Sequence, residues 1–301
     1  MTTRASPCAT ILVRQRSTGL IRASAADLAD IINRRGTTMK VGIIGTGNIG
    51  GTLARKLRSA GHEVRIANSR GIEGVRAVAN EIGAEPVDIT GAVKGVDAVI
   101  LSIPFPAIAN LPTDLFAGLP AEVPVIDTGN YYPGMRDPNI PEIDEGMVES
   151  LWVSQQIGRP VIKAFNNILA YSLAELDRPE GASDRLAVAV AGGDAKAKSV
   201  ACNLVNEVGF DTVDAGDLGQ SWRQQPSTPA YCCDWNAAEM RQALAAARPG
   251  EAPAKRDRMM ETFAALGANP THADIVATNR VMNAPDSQAK WNEEGAGCGG
   301  A

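Results

Sequence analysis

Residues 39–70 read MKVGIIGTGNIGGTLARKLRSAGHEVRIANSR, and the fold follows from how this stretch divides. Residues 40–45 are a short apolar run rich in β-branched side chains, the composition of a strand buried on both faces. Gly45, Gly47 and Gly50 follow at G-x-G-x-x-G spacing. In that pattern the first glycine permits a tight turn, the second lets backbone approach a pyrophosphate, and the third lets helix pack on strand. Leu53, Ala54, Leu57 and Ala60 recur at helical spacing, so a helix over residues 48–60 turns its free amides and positive dipole end towards the glycine loop. A second strand over residues 63–67 supplies the context that separates a dinucleotide fingerprint from an ordinary glycine turn.

The end of that second strand selects the dinucleotide. Asp or Glu usually stands there when the cofactor carries a free ribose 2′-hydroxyl, because a carboxylate accepts its hydrogen bond. This chain has Asn68, Ser69 and Arg70. A carboxylate would repel a 2′-phosphate, whereas a hydroxyl and a guanidinium hold one through charge-assisted hydrogen bonds worth roughly 1.5–3 kcal/mol each. The expected cofactor is NADP(H).

The chain has 301 residues, enough for one larger or two modest domains, and a net charge of −5. That charge argues against a general nucleic-acid or membrane surface. No apolar run is long enough to span a bilayer, and no segment reads as a secretory signal, so a soluble cytoplasmic protein is expected. Cys8, Cys202, Cys232, Cys233 and Cys298 lack C-x-x-C spacing and only two histidines are present, which reads as reduced thiols with no metal site. Residues 1–38 carry Arg4, Arg14, Arg16 and Arg22 before the first acid, Asp27, and superficially resemble a transit peptide. Because the first strand opens directly at Met39, they read instead as an N-terminal extension, disordered or preceding a mis-called start, with a short helix over 28–34.

Further along, a helix over 71–83, a short strand over 85–87 and a buried strand over 97–102 are expected. The last runs into Ser102-Ile103-Pro104-Phe105-Pro106, where two prolines end the ladder and leave Ser102, Ile103 and Pro104 at the strand's carboxyl edge, the ligand edge of an open parallel sheet. A strand over 124–127 leads into Thr128-Gly129-Asn130-Tyr131-Tyr132-Pro133. Its Asp127 is either a general acid or, more commonly for a strand-end aspartate, an acceptor for loop amides. A helix over 145–156 with Trp152 in the core precedes a strand over 160–165 and the pair Asn166-Asn167. Strands over 185–191 and 210–214 flank a helix over 195–208. From residue 216 the chain turns polar, then helical, with helices over 254–266 and 271–282 and a frayed tail over 295–301. Trp222, Tyr231 and Trp235 there read as core aromatics or as platforms for a planar ring. The expected fold is α/β, a doubly wound, mostly parallel Rossmann sheet over residues 39–215 with a small helical C-terminal cap over 216–301.

GIIGTGNIGGTLARKL, HEVRIANSRG, LSIPF, DTGNYYP, VIKAFNNI, VAGGDAKAKSVACNLVNEVGFDTVDAGDL and SWRQQP occur in that order. Over residues 39–234 the chain resembles the coenzyme F420-dependent NADP oxidoreductases and their flavin-using relatives. It is also similar to the reductase domain of the six-transmembrane epithelial antigen ferric reductases. The resemblance implies hydride transfer between NADP(H) and a stacked deazaflavin (coenzyme F420) or flavin (FMN or FAD), with catalysis by positioning. It places Thr46, Gly47, Asn48 and Ile49 on pyrophosphate, Ser69 and Arg70 on the 2′-phosphate, Ser102, Ile103 and Pro104 beside nicotinamide, and Ala164, Phe165 and Asn166 at the ring-stacking cleft. By analogy it suggests a homodimer through the late helices. The region after residue 227 is longer and matches the archaeal deazaflavin enzymes poorly.

Two other functions fit the residues. K-x-x-N-N at Lys163 resembles the lysine and asparagine of hydroxyacid dehydrogenases, which makes Lys163 the proton donor of a small carbonyl or imine reductase. A non-catalytic NADP(H)-binding redox sensor needs only the fingerprint.

Overall fold

The computed structural model describes residues 38–285. The expected helix over 28–34, the tail over 295–301, Cys8 and Cys298 lie outside the described residues.

Six strands form one parallel sheet in the order β3-β2-β1-β4-β5-β6. They are β1 (Lys40–Ile44), β2 (Glu63–Ala67), β3 (Glu85–Pro86), β4 (Ala98–Leu101), β5 (Val125–Asp127) and β6 (Ile162–Lys163). β1 runs in register beside β2 on one side and β4 on the other, so the winding direction reverses between β1 and β4. In open α/β sheets ligands bind in the crevice outside the strand ends at that reversal. Helices α1 (Asn48–Ser59), α2 (Gly71–Ile82) and α3 (Ile89–Val93) follow β1, β2 and β3. Val41 and Ile43 share a core with Leu53, Ala54 and Leu57 of α1, all essentially unexposed, while Ile44 packs into the second core. Burying each large aliphatic contributes roughly 1.5–3 kcal/mol.

Four expectations change. The helix expected over 145–156 starts only at Glu149, as α5 (Glu149–Ile157), because Gly146 has a φ of 108° that no helix accepts, and a short α4 (Pro141–Asp144) precedes it. α5 carries Trp152, which stacks on Phe105 at 5.0 Å in the core. The strand expected over 160–165 keeps only two ladder residues, because Phe165 turns to φ 61°. The strands expected over 185–191 and 210–214 are β7 (Ala187–Val190) and β8 (Asp211–Asp214). They pair with each other as a separate two-stranded sheet, joined to β6 by an antiparallel bridge between Lys163 and Ala191. The region from 216 holds a 3-10 turn (Leu218–Gln224) and helices α8 (Ala237–Ala246), α9 (Glu251–Asp257), α10 (Met259–Ala264) and α11 (His272–Met282), with α6 (Ala170–Glu175) and α7 (Ala195–Glu207) before it. The helix expected over 254–266 is thus divided between α9 and α10.

Candidate functional site

The three fingerprint glycines are required for different reasons. A Cβ on Gly45 would lie 2.0 Å from the Ser102 carbonyl oxygen, and Gly45 has φ 106°. A Cβ on Gly50 would lie 2.1 Å from the Gly45 carbonyl oxygen, whereas a Cβ on Gly47 would meet nothing within 4 Å. The outer two therefore let α1 and the end of β4 press onto the turn. Gly47 caps α1 with no side-chain hydrogen bond and no acid follows in the first turn, so the exposed amide end is free for an anion. This cradle, tight at its base and open above Gly47, fits a dinucleotide pyrophosphate.

Asn68, Ser69 and Arg70 follow β2 beside this loop. Asn68 is engaged: its Nδ2 donates to Thr46 Oγ1 at 3.2 Å and to the Gly74 carbonyl at 3.3 Å, and its Oδ1 accepts from the Arg70 amide at 2.9 Å. It fixes the corner. Ser69 and Arg70 are exposed. A Cβ at Gly74 would lie 2.2 Å from the Arg70 Cβ, so glycine there makes room for the arginine stem over the first turn of α2. Sequence reading passed over Gly74 because its role is a cross-turn distance.

Beyond the glycine loop lies a cleft of about 310 Å³, lined from four strand ends. Gly47, Asn48 and Ile49 follow β1; Ser102, Ile103 and Pro104 follow β4; Thr128 to Asn130 and Tyr132 follow β5; Phe165 and Asn166 follow β6. Ala164 is wholly buried beneath and does not line it. Asn166 is locked in place: its Nδ2 donates to the Gln224 carbonyl at 2.7 Å and to Asn130 Oδ1 at 3.1 Å, and its Oδ1 accepts from Gln224 Nε2 at 2.8 Å. Phe165 and Cys232 both line the cleft and both hold positive φ, 61° and 55°. Such backbone costs of order 1–3 kcal/mol and concentrates where a site needs it.

The cap reaches the cleft through Tyr231 and Cys232. Helix α11 grips their loop from behind: Asn279 Nδ2 donates to the Cys232 carbonyl at 2.9 Å, Asn283 Nδ2 to the Tyr231 carbonyl at 2.9 Å and Arg280 Nε to the Cys233 carbonyl at 2.9 Å. Of the three cap aromatics only Tyr231 lines the cleft. Trp235 is buried, donates to the Pro229 carbonyl at 2.9 Å and lies under the Arg280 guanidinium. Trp222 lines a different cavity of about 620 Å³, together with Glu149, Gln225 and Arg256. That cavity is the larger, but no fingerprint residue borders it, whereas the smaller one lies at the β1/β4 reversal and is the candidate dinucleotide crevice.

Lys163 does not reach the cleft. It is fully buried, its Nζ donates to Asp127 Oδ2 at 2.9 Å and to the Gly129 carbonyl, and Asp127 also accepts the Gly129 amide at 2.8 Å. The pair braces the loop after β5 from below. As proton donor to a molecule in the cleft Lys163 is misplaced, and Asp127 takes the loop-amide role. His62 and His272 also lie elsewhere: His62 accepts from the Met39 amide and pairs with Glu207 at 2.6 Å, and His272 pairs with Asp234 at 2.7 Å.

Residues 40–131 match the model of the family described as NADP oxidoreductase, coenzyme F420-dependent. The Escherichia coli K-12 protein YjhV is 50% identical over 107 residues, 36% of this chain and 78% of YjhV. The chain belongs to the coenzyme F420-dependent NADP oxidoreductase family. Among solved structures, the hypothetical protein SMa0349 of Sinorhizobium meliloti superposes with a TM-score of 0.53 at 29% identity, over 62% of this chain and 88% of that one. A candidate F420-dependent NADP reductase of Arthrobacter sp. FB24 superposes at 0.51 and 22% identity, over 76% and 96%, a likeness of fold. Membership of this oxidoreductase family implies NADP(H) binding. No helix among the described residues is long and apolar enough to cross a membrane.

Proposed function

We propose that the protein transfers hydride between NADP(H) and a flavin or deazaflavin ring stacked against the nicotinamide. The observation that carries this reading is the cleft, which begins at the open face of Gly47 and continues past Ser102–Pro104 to Phe165, Asn166, Tyr132 and Tyr231. Backbone at Thr46, Gly47, Asn48 and Ile49 holds the pyrophosphate. Ser69 and Arg70 hold the 2′-phosphate, with Asn68 fixing their corner. Ser102, Ile103 and Pro104 flank the nicotinamide, Phe165 and Asn166 border the second ring, and Ala164 backs them. Bound NADPH supplies two electrons and a hydrogen nucleus as hydride. The chain supplies orientation and a wall against water, the terms that positioning can deliver.

A small carbonyl or imine acceptor is the second reading. What favours it is the pair of tyrosine hydroxyls in the cleft rather than Lys163. Adding coenzyme F420, FMN or FAD separately to protein with NADPH, and following loss of the reduced nicotinamide absorbance, tests the first reading. Turnover with F420 alone assigns the deazaflavin, and turnover with FMN or FAD assigns a flavin. Tight NADPH binding without turnover on any ring, carbonyl or imine would leave the sensor reading.

A further inference from the structure

The cleft lining contains no His, Lys, Asp or Glu. Its titratable side chains are Tyr132, Tyr231, Cys232 and Arg136. Tyr132 comes from the loop after β5 and Tyr231 from the cap, 99 residues apart, and their hydroxyls meet in a hydrogen bond. Arg136 stands over the Tyr132 ring, its guanidinium carbon 5.0 Å from the centroid. Of the other polar side chains, Asn130 and Asn166 bond to each other and to backbone and Thr128 donates to the Leu101 carbonyl, while Asn48 and Ser102 stand at the glycine-loop end of the cleft.

We propose that Tyr132 is the proton donor of the cleft, held by Tyr231, and that the acceptor is a molecule whose reduction forms a new O–H or N–H bond. The inference rests on the hydride-transfer reading above. With Tyr231 donating to Tyr132, the Tyr132 proton is free to face the cleft. As hydride reaches the acceptor, the Tyr132 O–H bond breaks, its electron pair stays on the phenolic oxygen, and the proton passes to the acceptor's oxygen or nitrogen. Tyr231 O–H and the Arg136 guanidinium stabilise the phenolate, which regains a proton from solvent. The sum is consumption of NADPH, one proton and the acceptor, yielding NADP⁺ and the reduced acceptor. Burial raises both phenols above their ordinary value of 10. Cys232 and Glu149 push Tyr132 the same way, while Tyr231 and Arg136 oppose it. Both phenols therefore remain protonated at neutral pH.

Tyr132→Phe and Tyr231→Phe test this with coenzyme F420, FMN, FAD, an aldehyde (glyoxal) and a cyclic imine (1-pyrroline) as acceptors. Tyr132→Phe lowers kcat about 100-fold or more, the scale of a lost general acid, while the NADPH dissociation constant changes less than twofold. Tyr231→Phe costs less in kcat. It leaves the KM for the acceptor and the NADPH dissociation constant within twofold, because Tyr231 acts on the Tyr132 phenolate and not on binding. Equal kcat for Tyr132→Phe and wild type, or a Tyr231→Phe loss that falls on KM with kcat unchanged, overturns the assignment. Wild-type turnover of glyoxal or 1-pyrroline but of no ring acceptor removes the flavin reading and leaves the tyrosine role to be decided on that acceptor. No turnover with any of the five overturns both.

Discussion

The ammonium of Lys163 lies 2.9 Å from the carboxylate of Asp127, and neither side chain has any exposed surface. Removing one partner of such a pair strands a buried charge, at a cost of about 3–5 kcal/mol. Lys163→Met is therefore expected to lower unfolding free energy by that order, and Lys163→Met with Asp127→Leu to recover part of it. Denaturant titration reads both. Full stability with lost turnover in Lys163→Met would instead give the lysine a chemical role.

Gly47→Ala and Gly50→Ala separate binding from folding. At Gly47, with φ −76° and ψ −165°, alanine is conformationally acceptable and its methyl enters open space. Melting temperature should hold within a degree or two while NADPH affinity falls about tenfold or more. Gly50→Ala drives a methyl into the Gly45 carbonyl and should destabilise the fold by roughly 1–3 kcal/mol.

Arg70→Ala should weaken NADPH by about 10-fold to 100-fold, the loss of one charge-assisted contact, and leave NADH unchanged. Because Arg70 is exposed, the wild-type preference should also shrink as salt rises. Calorimetric titration of both cofactors decides it, and equal losses for the two would remove the 2′-phosphate role.

Burial raises Glu149 from its ordinary 4.5 to about 7, with Lys163 and Arg256 opposing and Asp127 adding to the shift. Between those values the folded protein keeps a proton that the unfolded chain has lost. The contribution of Glu149 to stability is therefore largest below about pH 4.5, declines as pH rises to about 7, and is flat above. At about 1.4 kcal/mol per pH unit the whole effect is roughly 3 kcal/mol. Unfolding free energies at pH 5 to 8 should fall in wild type relative to Glu149→Gln, which keeps an acceptor for the Tyr131 amide. Parallel curves would show that Glu149 ionises normally.

The sequence by itself determined the β1–α1–β2 unit, because strand, glycine spacing and helix are contiguous and each is a local property: α1 and β2 lie within a residue of the expected bounds. It also pointed to the polar corner at Asn68–Arg70 and to the strand end at Ser102–Pro104. It gave no account of Gly74, whose place beneath Arg70 is a distance across a turn, and it missed the late start of α5 after Gly146 and the division of α9 from α10 at Arg258, which hydrophobic period does not reveal. Only the tertiary structure shows what Lys163 contacts. A lysine inside a buried strand reads alike as acid or as brace until its partner is known, and Asp127 lies 36 residues away. The meeting of Tyr132 and Tyr231 is of the same kind. A pair 99 residues apart has no periodicity to read, and it exists because the cap, held by Asn279 and Asn283, folds its loop back onto the carboxyl end of the sheet.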